Sequence, residues 1–319
     1  MASSRYQYVR DLGEGSFGKV VLATDRGTGE QVAIKKLMRQ HLDTRMLEAE
    51  VINHSSLFHP HVIRFREVFV SPNNFNIVMD YANGGSLFSY VRTKGHLSED
   101  FARWCFQQMV LGLDYCHKKG VANRDLKLEN TLLDWPHPNL PKPIIKICDF
   151  GYSKHDSRSA RTQVGTYCYM SPEVLRNAHR ARYDAKLADI WSCGVALYVM
   201  LVGRYPFGLP HNGRLPAEEL QAMLSRMEGR GYDLPPALGV SKGCAALLAR
   251  LLDPDPGARI TMEGLLQDPW FSTDLPPTAL ALNQRYLGAS RPSSQSEEQI
   301  CVTVQAAATR PDDQGLLDA

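Results

Sequence analysis

The 319 residues contain no apolar run long enough to span a bilayer; the longest, 193–202, falls well short of the roughly 20 residues a membrane helix needs. The opening Met-Ala-Ser-Ser-Arg-Tyr has no apolar signal core, and alanine at position two excludes the glycine that myristoylation requires. Charge of one sign is scarce as well. Lysine plus arginine number 36 against 34 acids, a net charge of +2, which argues against a broad basic surface for nucleic acid. The seven cysteines (105, 116, 148, 168, 193, 244 and 301) are odd in number and scattered, without a Cys-x-x-Cys pair. That pattern suits reduced thiols rather than a disulfide framework or a zinc ribbon. Internal repeats are missing too. What is present is ordinary globular composition, 44% apolar and 22% charged. We expect a soluble protein of the cytoplasm and/or nucleus, without a nucleic-acid or membrane partner, built as about two domains at roughly 150 residues each.

The first eighty residues read as strands. Residues 6–13, 18–25, 31–37, 64–70 and 76–81 are short runs with β-branched and aromatic residues, separated by turns such as Arg26-Gly-Thr-Gly29 and Ser71-Pro-Asn-Asn74. One helix is predicted among them at 44–57, with Leu47, Val51 and His54 along one face. Asn83-Gly84-Gly85 breaks the pattern and is taken as a hinge. Beyond it, helices are predicted at 98–119, 189–201, 217–227, 242–252 and 261–267. Residues 120–172 show little helical periodicity, and stretches that irregular in a compact domain are usually functional. Within them, 134–143 is proline-rich and reads as a long hairpin loop. From Thr273 the composition shifts to Pro, Ala, Ser and Gln, which marks a tail.

Leu12-Gly13-Glu14-Gly15-Ser16-Phe17-Gly18-Lys19-Val20 contains the spacing Gly-x-Gly-x-x-Gly. Glycines let a backbone fold closely over phosphates and aim its N–H groups at them. Dinucleotide-binding folds carry the same spacing, but there a helix follows, whereas Val20-Val-Leu-Ala23 continues as a strand. Val32-Ala33-Ile34-Lys35 adds a lysine inside an apolar strand, costly to bury without a partner. A nucleotide phosphate and a carboxylate from the predicted helix would both satisfy it. Glu50 is the candidate, and Glu48 competes one helical face away.

Asn123-Arg-Asp-Leu-Lys-Leu-Glu-Asn130 and Asp149-Phe-Gly151 complete a set that resembles the eukaryotic protein kinases. Phosphoryl transfer is mainly positioning and charge neutralisation. Asp125 would orient the substrate hydroxyl and accept its proton, and Lys127 could neutralise the moving phosphoryl group. Asn130 and Asp149 supply hard oxygen ligands for Mg²⁺. The resemblance implies ATP as cofactor and protein substrates, with Lys127 and Gly165-Thr166 similar to serine/threonine kinases. It makes Met79 the residue guarding the adenine site, with Asp80 to Ala82 offering backbone groups to adenine. It also implies an ion pair between Glu173 and Arg259, and Asp189 holding the catalytic loop.

Longer strings, Lys146-Ile-Cys-Asp-Phe-Gly-Tyr-Ser-Lys154 and 191–203, look like the plant sucrose-non-fermenting-related protein kinases of subclass two. The resemblance implies osmotic or nutrient-stress signalling, an upstream kinase and a protein phosphatase as partners, and a monomer. It covers residues 5–272 and extends to Leu275-Pro-Pro and Gln295-Ser-Glu-Glu-Gln-Ile300, similar to that subclass's regulatory box, a helix docked beside the Glu50 helix. Independently, Ser296 and Gln299 make a capping box, and Ile300, Val304 and Ala307 form an apolar stripe. Only Asp312, Asp313 and Asp318 follow, so hormone-linked control through a long acidic tail is not expected. Arg124 and Lys154 form a basic pocket that a phosphate on the segment 152–170 would fill; Ser157, Ser159, Thr162 and Thr166 are candidates, with Thr162 favoured as the switch.

Two positions depart from the family. Asn123 stands where histidine or tyrosine is usual and is expected to loosen the active state. Ser86 replaces an acid that would contact ribose or a basic substrate residue. The fold expected is α+β and bilobal, with a β-rich N-lobe at 1–82, a helical C-lobe at 83–272 and a regulatory tail with a docking helix at 273–319. The competing readings are a pseudokinase scaffold that binds ATP or partners without phosphotransfer, and a catalytic subunit of a heterotrimer.

Overall fold

β-branched and aromatic runs in the first eighty residues form five strands: β1 (Tyr6–Gly15), β2 (Gly18–Asp25), β3 (Gln31–Met38), β4 (Phe65–Val70) and β5 (Asn74–Asp80). The computed structural model describes residues 5–15, 18–149, 166–176, 183–209, 216–289 and 294–308. All neighbours pair antiparallel in the order β1-β2-β3-β5-β4. The turn chemistry is local: the Asp25 carboxylate accepts the Gly27 N–H, and Gly29, at φ +75°, closes the β2–β3 connection onto the Asp25 carbonyl. Between β3 and β4 lies α1 (Thr44–Ser55), capped by Asp43, whose side chain accepts the Met46 N–H. Its buried face is Leu47, Glu50, Val51 and His54, so the predicted helix is present and two residues shorter at its end.

The chain divides into two compact units, Met1–Ala82 with Ala289–Ala319, and Asn83–Gly288. The second is built from α2 (Leu87–Lys94), α3 (Glu99–Lys118), a hairpin of β6 (Thr131–Asp134) and β7 (Ile144–Ile147), then α4 (Pro172–Arg176), α5 (Ala185–Val202), α6 (Ala217–Glu228), α7 (Lys242–Leu251), α8 (Met262–Leu266), α9 (Pro269–Ser272) and α10 (Ala279–Gly288). Its centre is the pair α3 and α5, with Phe106, Met109, Leu113, Trp191 and Leu197 fully buried. Each such side chain contributes about 1.5–3 kcal/mol of burial. By length and composition α5 alone, among the described residues, could cross a membrane; here 72% of it is buried inside the structure, as a core helix would be. It starts at the Asp184 cap, and ends at Gly203, in the left-handed region at φ +76°. At Gly194 a Cβ would stand 2.8 Å from Leu251, so α5 and α7 meet backbone to side chain.

The boundary between the units falls between Ala82 and Asn83, at the expected hinge, and three details add to or differ from the sequence reading. Asn83-Gly84-Gly85, read as a hinge, is zipped onto β6: Gly84 N–H to the Leu133 carbonyl, Leu133 N–H to Gly85, and the Asn83 amide paired with the Trp135 backbone in both directions at 2.9 Å. The glycine is there for close approach, since a Cβ on Gly84 would lie 2.7 Å from the Leu133 carbonyl. The short α2 was not predicted; Ser86 caps it and Gly95 follows it. Nor is the segment after Thr273 one tail. α10 belongs with the second unit, where the Asn283 amide donates to Asp114 (2.6 Å), and the residues from 289 on belong with the first. There α11 (Glu297–Ala308) packs on α1 and β4, burying Ile300, Val304 and Ala307. The capping box forms in both directions, Gln299 N–H to Ser296 Oγ and Ser296 N–H to Gln299 Oε1.

Candidate active site

Within the first unit, β1 and β2 form a hairpin in which Gly13 faces Val20, Glu14 faces Lys19 and Gly15 faces Gly18. A strand follows the glycines, which separates this loop from dinucleotide-binding turns. Gly18 has φ +143°, and a Cβ there would lie 1.9 Å from the Lys36 carbonyl oxygen, so only glycine fits. At Gly13, by contrast, nothing lies within 4 Å of where a Cβ would be. Ser16 and Phe17 lie outside the described residues. Leu12 and Val20 are half-buried, and Ala33 on β3 is buried. Lys19 spends its ammonium on Asp11 at 2.7 Å on the exposed side, so its contribution to a phosphate site would be backbone.

On β3, Lys35 lies between Val20 of β2 and Ile77 of β5. Its Nζ is 3.8 Å from Glu50 Oε1, with both side chains largely buried. The competing Glu48 instead accepts from Gln305 Nε2 at 3.4 Å, which decides between the two acids. At the end of β5 the Asp80 carboxylate is held by Arg66 (2.6 Å), which also reaches Glu30. Asp80 and Ala82 are therefore left with backbone groups to offer a base, and Met79 pairs with Ala33 and Phe65 in the sheet.

In the second unit the loop 123–130 hangs from α5. The Asp189 carboxylate, 1% exposed, accepts the Asn123 N–H at 2.9 Å and the Arg124 N–H at 2.7 Å, and lies 2.8 Å from His117 Nε2. Three charge-assisted bonds on one buried carboxylate fix a loop that has no regular structure of its own. Arg124 itself sits at φ +64°. Asp125 Oδ2 accepts from Lys127 Nζ and from Asn130 Nδ2, each at 2.8 Å. Asn130 also donates to the Asp125 carbonyl (3.1 Å), and Thr131 Oγ1 to the Lys127 carbonyl (2.9 Å).

The β6–β7 hairpin brings the two oxygen-ligand candidates together. Thr131 pairs with Ile147, so Asn130 comes opposite Cys148, whose N–H donates to the Asn130 carbonyl at 2.9 Å; Asp149 is the next residue. No cluster of three or more His, Cys, Asp or Glu suited to a metal exists among the described residues. A two-residue set fits Mg²⁺, which keeps waters and takes substrate phosphates as its other ligands. With the Asn130 amide nitrogen committed to Asp125, its oxygen is the end available to a cation. Lys154, Thr162, Phe150 and Gly151 lie outside the described residues, as do Ser157 and Ser159.

Downstream, Arg259 grips Glu173 at both carboxylate oxygens (2.7 and 2.9 Å), with the guanidinium wholly buried over the Trp191 ring. Burial pushes the Glu173 carboxyl up, but the hydrogen bonds and charge of Arg259 outweigh it and leave it below its ordinary value. Glu129 moves the other way, raised chiefly by burial, with Tyr205 donating to it. Ser86, one of the two departures, does local work: its Oγ accepts the Ser89 N–H as the cap of α2. Sequence reasoning missed the Asn83–Trp135 pair, the Tyr205–Glu129 bond and the second role of Asn123 described below; all three are set by tertiary contacts that leave no periodic trace.

A family model for the protein kinase domain matches residues 6–271. The chain belongs to the protein kinase family. The kinase is 46% identical over 276 residues to the serine/threonine-protein kinase SRK2D of Arabidopsis thaliana, covering 86% of this chain and 73% of that one. To the serine/threonine-protein kinase SAPK4 of Oryza sativa subsp. japonica it is 44% identical over 315 residues, covering 96% and 84%. Among solved structures, it is similar to Rad53 residues 1–466 in complex with AMP-PNP, at a TM-score of 0.69 and 27% identity over 85% of this chain and 66% of that chain. The resemblance to the plant sucrose-non-fermenting-related protein kinases of subclass two, drawn from the Asp-Phe-Gly and α5 strings, is shown by these SRK2 and SAPK relatives, and the fold is that of a protein kinase, with a sheet-based first unit and a helical second.

Proposed function

We propose that the kinase transfers the γ-phosphate of ATP, bound with Mg²⁺, to serine or threonine hydroxyls of proteins. The observation that carries this reading is the convergence of Lys127 and Asn130 on one oxygen of Asp125, at 2.8 Å each. That arrangement fixes the carboxylate that orients the attacking hydroxyl and takes its proton, and sets a cation beside the path of the phosphoryl group. Lys35, tied to Glu50, holds the nucleotide phosphates, under the backbone N–H groups of the loop 12–20. Asn130 and Asp149 hold the metal, which supplies charge neutralisation on the phosphates when bound. Asp189 and the Glu173–Arg259 pair keep the loop and the following segment in register.

The likeness to SRK2 and SAPK kinases supports a role in osmotic or nutrient-stress signalling in the cytoplasm or nucleus. It also supports a monomer switched on by an upstream kinase through phosphorylation of Thr162, and off by a phosphatase. The α11 helix, packed on the helix that carries Glu50, supports control through the tail. Incubation with labelled MgATP and a serine/threonine peptide library tests the activity. Transfer by the phosphorylated wild type and its loss, by about a thousandfold or more, in Asp125→Ala is expected. Equal transfer by both proteins would refute the assignment.

A further inference from the structure

Asn123 is 0% exposed, and its N–H and both ends of its carboxamide are engaged. The N–H donates to Asp189, the Nδ2 donates to the Asp149 carbonyl at 3.2 Å, and the Oδ1 accepts the Asp125 N–H at 3.3 Å. One side chain therefore bonds the backbones of both acids to which the transfer chemistry is assigned. Asp149 has φ +63°, in the left-handed region that glycine, asparagine and aspartate adopt more readily than other residues. Its carbonyl is the group that the Asn123 Nδ2 holds. A carboxamide suits the task because it carries a donor and an acceptor on one short planar group, aimed at two different peptides.

We infer that Asn123 is a positioning residue of this kinase, one that sets the spacing and orientation of Asp125 relative to Asp149. The polar residue that departs from the family pattern is thus part of the alignment of the site and not a weakness in it. The inference rests on the roles proposed above for those two acids. Its chemistry gives ordered variants. Asn123→Asp keeps the shape but turns an oxygen onto the Asp149 carbonyl, replacing attraction by repulsion. Asn123→Leu removes both bonds. Asn123→His restores one donor.

The test measures peptide phosphorylation, binding of Mn²⁺ with ADP by calorimetry, and thermal unfolding, on the full chain, with Asp125→Ala alongside. Asn123→Asp is expected to lower kcat by about tenfold or more with the peptide KM unchanged, since the loss is in alignment and not in substrate contact. Mn²⁺–ADP affinity falls with it, Asn123→Leu behaves similarly, and Asn123→His recovers most of the loss. Wild-type values of kcat and Mn²⁺–ADP affinity in both Asn123→Asp and Asn123→Leu would overturn the inference. So would losses in all three variants that merely follow their melting temperatures, because packing alone would then explain them. Should Asn123→Asp fail to fold, the contrast between the leucine and histidine variants decides. A wild type that transfers nothing sinks the phosphotransfer reading, and the Mn²⁺–ADP affinities still judge Asn123.

Discussion

Replacing Ile300 by alanine tests whether the returning helix α11 holds the active arrangement of the first unit. Ile300 and Val304 are 0% exposed, while Val302 on the same helix is 65% exposed. Gln295 pairs its amide with both the N–H (2.7 Å) and the carbonyl (2.9 Å) of Val68 on the edge strand β4, and Arg39 donates to the last carbonyls, Ala306 (3.1 Å) and Ala307 (3.0 Å). The helix is thus fastened at both ends, and Ile300 is the anchor between them. Truncating a fully buried isoleucine to alanine costs about 3 kcal/mol, a transfer term plus a cavity term. At roughly 1.4 kcal/mol per tenfold, that is about two orders of magnitude in the equilibrium between docked and undocked helix. Because α11 packs on α1, the loss should surface in hydrogen exchange of 44–55, with amides there exchanging up to about a hundredfold faster. Glu50 sits on that helix 3.8 Å from Lys35, so kinase activity should fall with it. Val302→Ala, which removes the same kind of surface from the solvent side, should leave exchange and activity unchanged. Wild-type exchange in Ile300→Ala, or like behaviour of the two variants, would refute a role for α11 in holding α1.

Gly18→Ala should lower the melting temperature, because its Cβ meets the Lys36 carbonyl at 1.9 Å, whereas Gly13→Ala, with nothing within 4 Å, should keep stability; melting scans of both variants decide, and equal losses would contradict the steric argument. For Glu173 the folded carboxyl is held below its ordinary value of 4.5, so its pairing with Arg259 contributes stability that is fully present above that value and is lost as pH falls through the depressed one. Urea unfolding from neutral pH into that acid window should therefore show a steeper loss in wild type than in Glu173→Gln, and parallel curves would remove Glu173 from the acid response.

What could be read in the residues alone was whatever obeys a period or a spacing. The strand alternation before residue 82, the long α3, and the stripe of Ile300, Val304 and Ala307 all follow such rules, and the structure shows them within a few residues of the expected bounds. The loop 123–130 stood out through its resemblance to the protein kinases, and the structure brings its Asp125, Lys127 and Asn130 side chains together. Choices between neighbours were not legible. Glu48 and Glu50 are both on α1, and tertiary packing separates them: Glu50 is on the buried face beside Lys35, while α11 brings Gln305 to Glu48. α10 was hidden because its Pro-rich approach reads as a tail, while its docking depends on Asn283 meeting Asp114, 169 positions away.

Asn123 shows the same limit more sharply. Compared with the family pattern, a short polar residue under the catalytic loop reads as a lost apolar contact. The physics of burial argues otherwise: a fully buried carboxamide without partners would cost several kcal/mol, so its presence at 0% exposure already implies that donor and acceptor are both used. The partners it finds, the Asp125 N–H and the Asp149 carbonyl, are backbone groups that exist whatever the neighbouring side chains are. A substitution at such a position exchanges one way of holding two peptides for another, and whether it weakens the site depends on hydrogen-bond geometry and not on resemblance to the commoner residue.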